Sequence, residues 1–421
     1  MPACLPYPPP LPGDFPAAPA SASALVGARR SAPHAPAFRQ NDARAALALP
    51  RRLSCRGALG AGGRTLRDRL HPTPTQGTPM PVPTRPLHLA VAIDRPGVFD
   101  AEPYVRAAAL AERGRLDFVT LGDGFTPPRR GRGRPDALAT LARVAPATRR
   151  IGLVPTVTTT CSEPFHVSCA VATLDWVSRG RAGWSVGVSA NGAGARHFGL
   201  RPAPPAAELW REAEAVAGVV TRIWDGREDG AEIRDVATGR CADRDKPHRV
   251  DSASPRFSVR GPALGPRPPQ GRPVVAVDAT DPLPRAAAAR HADVAFIRTR
   301  NACGLRAVRA AADDLRRRVR AEGRDPARTV VLASLSVALH TSADAVALAD
   351  LVGTWYADGV VDGFHFRPAD VDRDLPLLVD GTVSVLQHRG LPRSFYPGAT
   401  LREHLCLPRP ANRHARAGET A

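Results

Sequence analysis

TVVLASLSVALHTSADAVALADLVGTWYADGVVDGFHF, residues 329–366, decides the fold. It opens on a mostly apolar run, 329–338, passes through an amphipathic segment, 342–357, and closes on a second short run, 361–366. Short apolar runs bounded by turn residues read as strands buried on both faces, as in parallel α/β sheets. Run, helix and run together make a βαβ unit.

Working outward, the unit repeats. Earlier runs lie at 87–93, 117–122, 151–155, 182–189, 274–277 and 293–297. Helices are expected at 102–114, 136–148, 164–178, 207–223, 284–291, 303–321 and 373–389. Leu209, Ala213, Val216, Val220 and Ile223 share one helical face, as do Leu305, Val308, Ala312, Leu315 and Val319. Residues 226–272 form an insertion between helix four and strand five, with turns but no clear period. Eight βα units predict an α/β fold, a TIM (β/α)8 barrel over residues 80–421, with its site at the C-terminal ends of the strands.

Residues 1–79 differ from the rest. They hold 14 prolines and ten arginines against three acids, Asp14, Asp42 and Asp68. Proline removes backbone donors and fixes φ, so a disordered or polyproline-like tail is expected. An Arg-rich, acid-poor tail fits a transit peptide or a weak nucleic-acid arm. The plain alternative is a non-functional extension, with the working start at Met80. The chain of 421 residues carries a formal net charge of +18. Its cations are arginines except for Lys246, and aromatics are only 5%, without basic-aromatic interleaving. That pattern argues against nucleic acid as a partner. No run of about 18 apolar residues exists to cross a membrane. Seven widely spaced cysteines without a CxxC pair fit free thiols in a reducing, cytoplasmic setting.

The predicted strand ends carry hydroxyls, an amide and glycines: Asp123 between Gly122 and Gly124, Thr156 to Thr160, Ser189-Ala190-Asn191, and Asp278-Ala279-Thr280-Asp281. No His/Asp/Lys cluster of a metal-dependent hydrolase appears, so no metal is expected. GxSxG, a P-loop and GxGxxG are absent from the sequence. Glu163 before Pro164 reads as the start of a helix. His166 and His365 are expected as surface or packed histidines, with proton donation as the sharper alternative. Trp184 is expected in the core.

At these residues the sequence resembles the bacterial-luciferase-like flavin monooxygenases, in the branch of nitrilotriacetate and dibenzothiophene-sulfone monooxygenases. The carrying stretches are IGLVPTVTTTCSEPFH (151–166), LDWVSRGRAGWSVGVSANGAGARHFG (174–199), ADRDKPHRVD (242–251) and FSVRGPALGPRPPQGRPV (257–274). ARHADVAF (289–296), VDGFHFRP (361–368) and RGLPRSFYPGATLREHLCLPRPANR (389–413) continue them in family order.

The resemblance implies a barrel that receives FMN as FMNH2 from a separate flavin reductase. It would oxygenate a small organic substrate with O2 through a flavin C4a-(hydro)peroxide. The flavin carries the oxygen chemistry, and the protein orients it and excludes water. The family's flavin contacts fall on Asp123, Thr156, Ser189 and Trp210. Trp210 stands where the family has a tyrosine, and Ala206 replaces a histidine. The family's phosphate-holding Gly/Ser turn falls on Thr280 and Asp281. There Asp278 and Asp281 would repel a phosphate, with Arg285 or Arg298 as compensating cations. The stretch from His340 to Val352 lacks the family's helical insertion, which implies a more open pocket. No catalytic side chain is assigned. The alternative function is a degenerate barrel with weak flavin binding that serves as a ligand-binding protein. Substrate identity and oligomeric state, a homodimer included, stay open.

Overall fold

The structure, a computed structural model, describes residues 86–125, 133–190, 204–235, 240–243, 245–299 and 304–415. The 1–79 tail and Asn191 lie outside these residues.

Eight parallel strands close into a barrel. They are β1 (His88–Ala92), β2 (Phe118–Leu121), β3 (Gly152–Thr158), β4 (Gly183–Gly187), β5 (Val274–Asp278), β6 (Val294–Thr299), β7 (Val330–Val337) and β8 (Gly363–Pro368). Each pairs with its sequence neighbours, and β1 pairs with β8 to complete the ring. The TIM barrel and all eight expected strands are present.

The outer ring is α1 (Glu102–Arg113), α2 (Ala137–Val144), α3 (Pro164–Val177), α4 (Ala206–Trp224), α5 (Pro282–His291), α6 (Leu305–Ala321), α7 (Ser342–Ala357) and α8 (Val371–Leu377). Local chemistry sets several of their starts. Pro164 occupies the first position of α3, where its missing N–H costs nothing. Thr341 and Asp344 form a reciprocal capping box at α7. The expected apolar face of α4 is buried, and so is that of α6 except for half-buried Leu305. Helix eight is not one regular α-helix. After α8 the chain passes through a π-helical stretch, Leu378–Val383, into Ser384–His388.

Strand parity divides the core. Leu89, Val91, Val119 and Leu153 face the helices. Ala90, Phe118, Val154, Ala276, Phe296 and Leu332 fill the barrel interior. At the β1–β8 seam the strands approach so closely that a Cβ on Gly363 would lie 2.0 Å from the His88 carbonyl oxygen. Only glycine fits there.

The N-terminal end of the barrel is plugged. Leu401, Leu405 and Leu407, from and just after the short helix Leu401–His404, enter the interior cluster. Asp117 accepts hydrogen bonds from the Leu89 amide at 2.7 Å and pairs with Arg393 at 2.9 Å. Buried Asp175 accepts from the Gln270 side-chain amide at 2.6 Å, and the Gln270 side-chain oxygen accepts from the Arg402 amide. Burial pushes the Asp175 carboxyl up to about 6. This end is built for stability, so the open end is where chemistry can occur.

The insertion contains two small antiparallel pairs, Glu232–Asp235 with Arg240–Ala242 and Ser252–Ala253 with Ser258–Val259. Val250, Val259 and Ala263 pack on Val219 and Ile223 of α4. Fully buried Asp225 binds the guanidinium groups of Arg267, Arg272 and Arg413. That tie joins the insertion to the C-terminal segment. Among the described residues no helix is long and apolar enough to cross a membrane.

Candidate active site at the C-terminal mouth

Two residues beyond the apolar interior layer, the same strand parity turns polar. Thr120, Thr156, Asp278, Arg298, Ser334 and His365 follow Phe118, Val154, Ala276, Phe296, Leu332 and Gly363 on the inward face. Ser185 of β4 is in register with Thr156 of β3.

His365 is the hub of this layer. Its Nε2 lies 2.9 Å from Thr120 Oγ1 and its Nδ1 lies 3.0 Å from Ser334 Oγ. The ring leans on Phe296, with centroids 4.6 Å apart. Burial, reinforced by the charges of Arg367 and Arg298, drives its pKa down to about 3. The imidazole is therefore neutral at pH 7 and holds two hydroxyls in place. It has no excess proton to give, so the packed reading fits and proton donation does not. His166 is exposed.

Asp123 knits the β2 end to α2. One carboxylate oxygen accepts from Gly124 N at 2.6 Å and Arg134 Nε at 3.0 Å. The other accepts from Ala137 N, at the first turn of α2, at 3.0 Å. Asp136 is the N-cap of α2 and accepts from Ala139 N at 2.7 Å, so Asp123 adds a second carboxylate at that helix start while lining a cavity. That cavity, about 420 Å³, is also bordered by Thr156, Thr158, Cys161, Glu163 and His166. Thr156 is half-buried and borders this cavity. Glu163 precedes Pro164 at the α3 N-cap without capping it.

Ser189 staples three strand ends. Its Oγ accepts from Phe125 N at 3.2 Å, and its amide donates to Thr160 Oγ1 at 3.0 Å. Gly187 makes the staple possible: a Cβ there would sit 3.0 Å from Thr156 Cγ2 and 3.2 Å from Thr158 Cα. Trp210 is half-buried on α4 and packs against the core. Trp184 is fully buried, with its indole N–H donating to the Val157 carbonyl.

The turn after β5 differs from expectation. Thr280, expected at the phosphate-holding turn, donates its hydroxyl proton to Asp278 Oδ1 at 2.6 Å. Thr280 Oγ1 in turn accepts from the Arg298 amide at 2.8 Å. Arg298 Nε lies 2.5 Å from Asp278 Oδ2, so it does neutralise that carboxylate. Arg285 instead braces the turn from behind, through the carbonyls of Ala279 and Thr280. Asp281 is exposed at the α5 N-cap and makes no capping bond.

Sequence reasoning missed Asp94. Its Oδ1 accepts from Gly122 N at 2.8 Å. With Tyr104, Asp123 and Arg134 it lines a second cavity of about 230 Å³. The protein packed around Asp94 holds its carboxyl above the usual carboxylate range. The only signal in sequence was its place after the first apolar run. A cavity of about 480 Å³ lies at the opposite end beside Arg272, Asp293 and Arg402. There Arg272 and Arg402 are held by Asp225 and Asp293. Among the described residues no three His, Cys, Asp or Glu side chains gather as metal ligands.

A parallel (β/α)8 barrel with a hydroxyl-rich mouth at the C-terminal ends of its strands is an enzyme architecture. The family relationship sharpens this. Residues 71–385 match the luciferase-like monooxygenase family, and the chain belongs to it. It is 28% identical over 416 residues to nitrilotriacetate monooxygenase component A of Aminobacter aminovorans, covering 74% of this chain and 91% of that protein. It is 32% identical over 253 residues to dibenzothiophene-sulfone monooxygenase of Rhodococcus erythropolis, covering 57% and 55%. Among solved structures, EDTA monooxygenase from Chelativorans sp. BNC1 superposes with a TM-score of 0.69 at 23% identity, covering 77% of this chain and 99% of that one. The chain is a flavin-dependent monooxygenase.

The donor set meets a flavin unevenly. Hydroxyls at Thr156 and the cavities beside Asp123 suit a planar, hydrogen-bonding ring. The turn of Asp278, Thr280 and Asp281 does not suit a phosphate, because its hydroxyl is engaged and its remaining polar side chain is a carboxylate.

Proposed function

We propose that this chain is the oxygenating component of a two-component system. It takes reduced flavin, FMNH2 in the form the resemblance implies, from a separate reductase and uses O2 to oxygenate a small organic substrate. The observation that carries this reading is the pairing of Asp123 and Thr156 at one cavity in the mouth of a luciferase-like barrel. The sequence has no GxGxxG segment for a nicotinamide, which agrees with reduction elsewhere.

In this reading the residues position rather than react. Asp123, fixed by three N–H donors, presents a carboxylate edge that cannot swing. Thr156 offers its hydroxyl, and Ser189 keeps the β2 and β4 ends together. Trp210 contributes an aromatic wall from α4. Neutral His365 fixes the hydroxyls of Thr120 and Ser334 below the ligand and keeps charge out of the interior. Bound flavin supplies the oxygen chemistry.

The test is an anaerobic titration of the full chain with FMNH2, followed by protein fluorescence, with a flavin reductase and O2 added afterwards. Saturable binding in the micromolar range is expected, with product from an organic substrate limited to one turnover per bound FMNH2 until reductase and its reductant sustain further turnovers. No saturation at high micromolar FMNH2 would sink the proposal.

A further inference from the structure

The turn that joins β5 to α5 is where the family resemblance places the flavin phosphate. Its chemistry here is that of a site which leaves the phosphate unread. A helix N-terminus holds an anion through the free N–H groups of its first turn. α5 begins Asp281-Pro282-Leu283-Pro284. Prolines at the first and third helical positions have no N–H. Leu283 alone keeps its donor among the first three. The N-cap, Asp281, places an exposed carboxylate at the same spot, uncommitted to any capping bond.

Among the described residues, the side chains around the turn do not replace the missing donors. The Thr280 hydroxyl gives its proton to Asp278. The Thr280 amide also points to Asp278 Oδ1, at 3.2 Å. Arg298 is paired with the other Asp278 oxygen at 2.5 Å. Arg285 spends its guanidinium on the carbonyls of Ala279 and Thr280 and on Asp314, 3.3 Å away. Two arginines thus meet three carboxylates, and Asp281 is the one left facing solvent.

A carboxylate in this position repels a phosphate and accepts from an alcohol. We infer that this barrel takes its flavin by the ring and the ribityl chain, so that riboflavin binds at least as tightly as FMN. The inference rests on the flavin reading above and specifies which flavin that site prefers. The terminal hydroxyl of the unphosphorylated chain is the group that matches Asp281.

The experiment compares reduced riboflavin and reduced FMN on the full-length protein under anaerobic conditions, by protein fluorescence at low and high salt. Riboflavin is expected to bind as tightly as FMN or more tightly, and added salt should favour FMN by screening the repulsion. Asp281→Asn should raise the affinity ratio of FMN to riboflavin by about threefold to tenfold, the range for one nearby charge at a partly exposed site. FMN binding more than tenfold tighter than riboflavin to the unaltered protein would overturn the inference and leave the flavin reading intact. A ratio unmoved by Asp281→Asn would also overturn it. Failure of both flavins to bind would remove the flavin reading and the inference with it.

Discussion

His365 Nε2 and Thr120 Oγ1 lie 2.9 Å apart inside the barrel, joining two strands separated by 245 positions in sequence. Ser334 and Thr120 flank the imidazole, and burial together with the charges of Arg367 and Arg298 opposes its protonation. In the unfolded chain a histidine takes up its proton near pH 6.5, whereas folded His365 resists until about 3. Protons therefore favour the unfolded state across that window. The stabilising contribution is complete above pH 6.5 and is lost progressively as pH falls toward 3. His365→Gln should flatten the fall of Tm between pH 6.5 and 4 by the equivalent of one proton, about 1.4 kcal/mol per pH unit. His291, depressed to about 4 by burial, supplies a background common to both proteins. Identical slopes in calorimetry would show that His365 is not held neutral.

Gly363 tests the barrel seam. With the His88 carbonyl only 2.0 Å from an added Cβ, Gly363→Ala forces β1 and β8 apart. A loss of at least ~3 kcal/mol in urea unfolding is expected, at the upper end of overpacking costs. A loss under about 1 kcal/mol would mean that the seam yields freely.

Asp225 tests the tie between insertion and C-terminal segment. Asp225→Ala leaves Arg267, whose side chain is 2% exposed, without its buried counter-charge. Breaking such a pair from one side costs roughly 3–5 kcal/mol. Thermal unfolding should show it, along with faster proteolysis near residues 405–415. An unchanged Tm would place the energy of this cluster elsewhere.

Thr156→Val separates site from scaffold. Valine keeps the β-branch that suits β3 and removes only the hydroxyl. Stability should move by less than about 1 kcal/mol, while affinity for reduced flavin should drop about threefold to tenfold, one hydrogen bond's worth. Equal flavin affinity would remove Thr156 from the proposed contacts.

Much of the architecture was legible in the apolar runs. A strand buried on both faces has to be apolar along its length, and eight such runs separated by helical periods leave few alternatives to a barrel. The rim residues Asp123, Thr156 and Ser189 were legible for a related reason, since polar residues just after apolar runs mark strand ends. Asp94 satisfied the same rule but lay in no stretch that carried the family resemblance. The direction of the Thr280 hydroxyl was not legible, because a rotamer that turns toward Asp278 leaves no trace in residue type. The two prolines of α5 were visible in sequence, and their consequence appeared only once Pro282 stood at the first helical position.

By itself the sequence determined the element order, the parallel barrel and the family, because these follow from local periodicity and from long ordered stretches of similarity. Tertiary structure decided which polar residues share a partner. Asp175 meets Gln270 across 95 positions, and Arg402 meets Asp293 across 109. Such pairings depend on barrel closure and on strand register, which sum small backbone rotations over the whole ring. For the same reason charge alone could not locate function. The +18 of the chain gives only the excess of cations over acids. Only the folded mouth shows that Arg298 is already held by Asp278 and that Asp281 faces the solvent.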